Sequence, residues 1–210
     1  MGPLEAIPEH PHHRLNLIHM DTGKRVYIIT GTPGVGKTTV STFLAELLGA
    51  YHVNLSELAA IENFITGYDE LRDTSVADME KLKKEVAGII DSFQGSLIIE
   101  GHYSHDIIPP KSVTMAFVLR RAPWELGIEL KKRGYSPEKV KENVEAELIS
   151  VCLSETIENM DSEKVCEIDS TGKDVEEVVG ELIAIIEGRK PCSFGCIDWL
   201  SRSEAEAFLR

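Results

Sequence analysis

A lysine followed by hydroxyl side chains, just downstream of closely spaced glycines, can hold a chain of phosphates. Here the combination is Gly31-Thr32-Pro33-Gly34-Val35-Gly36-Lys37-Thr38-Thr39. Its spacing is Gly, four residues, Gly, Lys, Thr, which is the phosphate-binding pattern. Glycines let the backbone curl until successive N–H groups point inward, and a helix starting at the lysine adds the positive end of its dipole. Such a nest suits the β-phosphate of a nucleotide. Lys37 would reach β- and γ-phosphate oxygens as a compact charge, the Thr38 hydroxyl would take a place on Mg²⁺, and Thr39 would lie near the α-phosphate. The bland alternative is a glycine-rich strand-to-helix turn.

Further along, Leu97-Ile98-Ile99-Glu100-Gly101-His102 ends an apolar run in a carboxylate and a histidine. An acid at the carboxyl end of a buried strand stands where open α/β sheets place ligands, and Glu100 there can serve Mg²⁺ or orient an attacking group. His102, and with less reason His105, can position water or pass a proton, or can simply be hydrogen-bonded loop histidines. Arg120 and Arg121 follow another apolar run at the same edge. Between Lys111 and Lys141 eight Lys/Arg stand against three Asp/Glu, a net of +5, which leaves −18 for the rest of the chain. Arg133, Lys131, Lys132, Lys139 and Lys141 could close over triphosphate, although a solvated helix face would read the same way. Lys173 lies in a turn, Ser170-Thr171-Gly172-Lys173, whose main chain can contact a base.

These groups need a frame that brings strand ends together. Val26 to Ile29 reads as the strand before the glycine loop and Val40 to Leu48 as the helix after it. Tyr51 to Leu55, Gly95 to Glu100, Thr114 to Leu119 and Val165 to Asp169 supply four more strands. Buried apolar runs of this kind suit a parallel sheet covered on both faces. Asp78 to Asp91, Trp124 to Lys132, the helix capped by Ser136 with Pro137 at its first position, and the segment through Ile185 supply helices. Val140, Val144, Leu148 and Val151 give the third of these one apolar stripe. From Asn54 to about Ala77 the sequence is irregular and acidic. This is where a doubly wound kinase carries a small insertion for its second substrate.

The chain has 210 residues and is 42% hydrophobic, enough for one well-packed domain. A net charge of −13 argues against broad nucleic-acid binding, which needs Lys and Arg to displace counterions. No run is long and apolar enough to span a bilayer and no secretion signal opens the chain, so no membrane partner and a cytoplasmic location are expected. Four cysteines are too few and too scattered for a disulfide framework, and Cys192 with Cys196 lack the companions of a metal site. Residues 1–24, with His10, His12 and His13, read as a disordered extension, and 189–210 as a tail. No Asn-Lys-x-Asp occurs to read guanine. A kinase for another small molecule would carry the same loop.

The glycine loop, Ile99-Glu100-Gly101-His102, Val118-Leu119-Arg120, Arg133-Gly134-Tyr135, Glu142-Asn143-Val144-Glu145-Ala146-Glu147 and Asp169-Ser170-Thr171-Gly172 occur in an order and spacing that resemble the adenylate kinase isoenzyme 6 family, particularly its archaeal members. The resemblance covers about residues 25–188. It implies a P-loop NTPase of α/β class with a nucleoside monophosphate kinase-like fold: a five-stranded parallel sheet, helices on both faces, an AMP-binding segment at 54–77 and a short lid at 132–142. It implies ATP and AMP as substrates with Mg²⁺, phosphate transfer between them, and ATP hydrolysis coupled to small-subunit ribosome assembly, with a ribosomal protein as possible partner. Carried over residue by residue, Gly34, Gly36, Lys37, Thr38 and Thr39 bind ATP phosphates, Arg133 is the lid arginine, Lys173 lies near the base, Glu100 stands where relatives often have Asp, and His102 matches a histidine of hydrolysis. In-line transfer would then lean on Mg²⁺, Lys37, Arg133 and Arg120 or Arg121. One departure is Ala60, where the family pattern has an arginine, leaving Arg72 alone in that segment. Fewer arginines around the phosphoryl group imply slow transfer.

Overall fold

The computed structural model describes residues 23–70 and 74–207. The histidine-rich start of the chain and Arg72, both singled out above, lie outside them.

Five parallel strands form the centre: β1 (Arg25–Thr30), β2 (Tyr51–Asn54), β5 (Ser96–Glu100), β6 (Met115–Arg120) and β7 (Val165–Asp169), in the order β2-β5-β1-β6-β7. Alternation along the strands makes two cores. Tyr27, Ile29, Ile98, Phe117, Leu119 and Ile168 face one side, and Val26, Ile28, Leu97, Ile99, Ala116 and Val118 the other. On the first side lie α1 (Lys37–Leu48), α5 (Pro123–Lys132), α6 (Pro137–Leu148) and α8 (Val175–Ile186). The second is covered by α2 (Leu55–Ile61), α3 (Met79–Ser92), the short α4 (Ser104–Ile107) and α7 (Val151–Asn159). Buried on both faces, the strands need continuous apolar sequence, which is why they are legible as runs.

The expected insertion is more ordered than its sequence suggests. Asn54 ends β2 and caps α2, its Oδ1 accepting from Ser56 N and Glu57 N at 2.9 and 3.1 Å. A hairpin of β3 (Ile65–Asp69) and β4 (Thr74–Ala77) follows, and Asp78 caps α3. The stripe from Val140 to Val151 belongs to two helices: Ser150 takes φ 61°, ends the run and redirects α7.

After Gly188 the chain turns back along the outer edge of β7. Glu167 N donates to Ser193 O at 2.8 Å, and Cys192 is disulfide-bonded to Cys166 of that strand, with Cα atoms 4.9 Å apart. That corrects the cysteine reading: there is no framework, but one bond forms because the returning chain lies beside β7. Trp199 and Ala205 then bury against Ala122 and Leu148. Among the described residues no helix is long and apolar enough to cross a membrane.

Candidate active site

The carboxyl ends of β1, β2 and β5 open into a cleft of about 580 Å³, closed on the far side by the α5–α6 turn. Its floor is the glycine loop. Gly31 takes φ +133°, and a Cβ there would stand 2.3 Å from the Leu119 carbonyl oxygen, so only glycine lets the loop pass the end of β6. Gly36, at φ 104°, starts α1 in a left-handed conformation. Ser170, in the β7–α8 turn, supports the loop from beneath, its Oγ 3.2 Å from Val35 O and 2.8 Å from Arg120 O.

Lys37 folds back on its own loop, Nζ donating to Gly31 O at 2.8 Å and Thr32 O at 3.1 Å. The residue keeps some accessible surface, but its ammonium is turned inward. Burial is the main cause that lowers its pKa to about 8, with Cys152, Glu100 and Glu147 pulling the other way and Arg133 adding slightly to the fall. Thr38 and Thr39 are exposed on the cleft wall. Glu100, 2% exposed, lies at the end of β5, and its Oε1 accepts from Asn54 Nδ2 at 2.7 Å with His52 Nε2 3.4 Å away. No described residue donates to Oε2. That free carboxylate oxygen and the Thr38 hydroxyl are hard ligands of the kind Mg²⁺ takes alongside phosphate and water, so these residues fit the ion.

His102 also lines the cleft. Its ring retains solvent contact, yet protein atoms crowd it. That desolvation first, then the Lys37 ammonium, then His105, hold its pKa down at about 4, so it is neutral at pH 7. His105 is turned away, buried, with Nε2 3.5 Å from Glu155 and 3.6 Å from Asp106. Arg133 reaches the cleft from the α5–α6 turn, where Nε donates to Glu129 one turn earlier at 2.8 Å.

Gly34, Gly36, Lys37, Thr38, Thr39, Glu100, His102 and Arg133 are thus brought together. Lys173 is not among the lining residues, and its ammonium pairs with Glu181 at 2.9 Å. Arg120 and Arg121 do not line the cleft either, which corrects their assignment to phosphoryl transfer. Arg120 is fully buried, giving Nε to Glu147 Oε1 at 2.6 Å, Nη1 to Glu167 Oε1 at 2.5 Å and Nη2 to Glu147 O and Ser150 Oγ. Arg121 pairs with Glu125. Three cleft residues, Asn54, Ser56 and Thr74, escape a reading by motif. Asn54 holds Glu100, and its signal was an amide residue at a strand end before a helix. Ser56 and Thr74 bring the insertion into the lining. Glu147 does not line the cleft: it is buried behind it on the stripe of α6 with Val140, Val144 and Leu148, where an acid among apolar positions is the signal of a buried polar role.

A protein-family model described as an AAA domain matches residues 28–150. A protein of Methanocaldococcus jannaschii named "Putative adenylate kinase" is 40% identical over 174 residues, 83% of this chain and 92% of that one. The protein of the same name from Thermococcus gammatolerans is 41% identical over 179 residues, again 83% and 92%. Among solved structures, a shikimate kinase from Bacteroides thetaiotaomicron superposes with a TM-score of 0.55 at 18% identity, over 78% of this chain and 98% of its own. A gluconokinase from Sinorhizobium meliloti 1021 gives 0.51 at 14%, over 79% and 93%. At such identities these two share the fold alone.

Proposed function

We propose, since this chain belongs to the archaeal adenylate kinase family and carries its AAA domain, that it transfers the γ-phosphate of ATP to AMP. The observation that carries the proposal is a shared cleft in which the glycine loop, Glu100, His102 and Arg133 face Asn54, Ser56 and Thr74 of the insertion. Donor phosphates have a cradle on one side, and a second substrate has room on the other. An AMP phosphate oxygen attacks the γ-phosphorus in line, the bond from γ-phosphorus to the β–γ bridging oxygen breaks, and two ADP result. Backbone N–H groups of the loop hold the polyphosphate, Lys37 leaves Gly31 O and Thr32 O for phosphate oxygens, and Arg133 leaves Glu129 to cover the transferring group. Mg²⁺, held by Thr38 and Glu100, would neutralise charge on the phosphates. A phosphate nucleophile requires no strong base, and none is assigned. A coupled assay should show ADP forming from ATP plus AMP well above ATP alone; equal rates would overturn the assignment of AMP as acceptor.

A second reading is favoured by one feature of the same cleft. Arg133 is the only arginine among its described lining residues, and the side toward the insertion carries Asn54, Ser56 and Thr74. Slow transfer to AMP would leave hydrolysis as the main turnover, with neutral His102 accepting a hydrogen bond from the attacking water. In that role the protein is an ATP-dependent assembly factor whose basic partner, a small-subunit ribosomal protein, is drawn by the acidic remainder of the chain. Retention of ribosomal proteins from extract at modest salt supports this reading, and their absence counts against it.

A further inference from the structure

The segment after α8 reaches the glycine loop through one buried carboxylate. Trp199, 4% exposed, packs edge-on to Trp124 with ring centroids 5.8 Å apart and donates Nε1 to Glu147 Oε1 at 3.1 Å. The same oxygen accepts from Arg120 Nε at 2.6 Å and from Arg121 N at 3.3 Å. The other oxygen, Oε2, accepts from the Thr32 hydroxyl at 2.5 Å. Thr32 is the second residue of the glycine loop, and its carbonyl takes one of the two hydrogen bonds of Lys37.

Two carboxylates, Glu147 and Glu167, share the single guanidinium of Arg120, each about 1% exposed. A buried carboxylate short of donors is costly, so the excess negative charge must be met by neutral N–H and O–H groups. Much of that supply comes from the C-terminal segment: Trp199 Nε1 for Glu147, and Cys196 N and Ile197 N for Glu167 Oε2 at 2.9 and 3.3 Å. With three donors fixing Oε1, the direction of Oε2 is set, and with it the rotamer of Thr32.

We propose that Trp199 is a positioning residue for nucleotide binding, acting through Glu147 on Thr32 and so on the glycine loop. The proposal rests on the reading that this loop holds ATP. Trp199→Phe keeps a smaller aromatic ring against Trp124 and removes the donor. Glu147 then loses one of its restraints, and Thr32 is no longer held in the orientation the loop uses.

Isothermal titration with Mg-ATP, together with steady-state kinetics, tests this on the full chain. Trp199→Phe should weaken ATP affinity about 3- to 10-fold, raising KM for ATP while kcat stays within about two-fold. Thr32→Val should weaken it at least as much, and the double variant no further than Thr32→Val alone. Wild-type affinity in Trp199→Phe, or a double variant whose loss is the product of the two single losses, overturns the coupling. Should Trp199→Phe not fold, Trp124→Phe leaves Trp199 as the sole tryptophan. Its emission should change as ATP saturates the site, and an unchanged spectrum overturns the proposal. Wild-type protein that binds no ATP would instead overturn the nucleotide reading on which the coupling stands.

Discussion

Lys37 is a charge that the fold would be more stable without. Its pKa falls from an ordinary 10.5 to about 8, chiefly because the ammonium is desolvated. Between those values the unfolded chain binds more protons than the native one, so stability rises with pH across about 8 to 10.5 and the penalty is fully present below 8. Lys37→Met should therefore cut turnover by about 100-fold or more, yet melt no lower than wild type at pH 7. Its advantage in melting temperature should shrink as pH climbs from 8 to 10, and a variant that melts lower at pH 7 would contradict this account. For the wild type, the same titration implies that ATP affinity falls above about pH 8, where the free protein loses the cation. His102 carries the opposite test. With its pKa near 4 it is neutral throughout the mild acid range, so ATP hydrolysis should stay flat from pH 7 to 5; a drop centred near 6.5 would place an ordinary imidazole there. Lys37 and His102 were legible in the sequence because each sits in a contiguous motif. Arg120 was not, since the groups that hold it, Glu147 and Glu167, are 27 and 47 residues away and only the fold brings them to it.

At the scale of elements, the α5–α6 turn is held in a resting arrangement by its own sequence. Arg133, about half exposed, donates to Glu129 one helical turn back, and that bond holds the Glu129 carboxyl below its usual range. An exposed i, i+4 pair contributes about 0.3–0.5 kcal/mol, roughly a factor of two in an equilibrium. If Arg133 must leave Glu129 to reach ATP, Glu129→Gln should lower KM for ATP about two-fold and leave the melting temperature nearly unchanged. A raised KM would mean that Glu129 presents the arginine instead of restraining it. The helices flanking this turn were readable from Ser136-Pro137 and from apolar spacing. The hairpin of β3 and β4 was not, because Ile65, Tyr68 and Val76 are exposed and the acidic residues around them mask any alternation. The break at Ser150 was hidden for another reason: a stripe from Val140 to Val151 keeps helical spacing across it, and a left-handed serine leaves no trace in a hydrophobic pattern.

For the molecule as a whole, the question is what closes the sheet. Strand β7 is its last, and an unpaired edge invites association with other chains. Here the returning C-terminal segment covers that edge, joined by the Glu167 N to Ser193 O bond, the Cys166–Cys192 disulfide and the tail N–H groups on Glu167. Nothing in the composition of residues 189–207 announces this, because the segment has neither helical nor strand periodicity and its anchors are single residues matched to distant partners. The disulfide and the hydrogen bonds do different work. The covalent link, across 26 residues that include α8, restricts the unfolded chain, while the native position of the segment is also held by Trp199 and by the donors to Glu167. Reduction should thus lower stability by about 2–4 kcal/mol, which at ordinary urea sensitivity moves the unfolding midpoint down by about 1–2 M. ATP affinity of the folded, reduced protein should stay within about two-fold of the oxidised form, since the route from Trp199 to Thr32 contains no sulfur. Urea titrations with and without a dithiol, followed by ATP titration of the reduced protein in buffer, measure both quantities on one sample. Equal urea midpoints would show that the bond restricts nothing in the unfolded chain. A lost affinity with the fold intact would show that the disulfide, and not the hydrogen bonds, seats the segment.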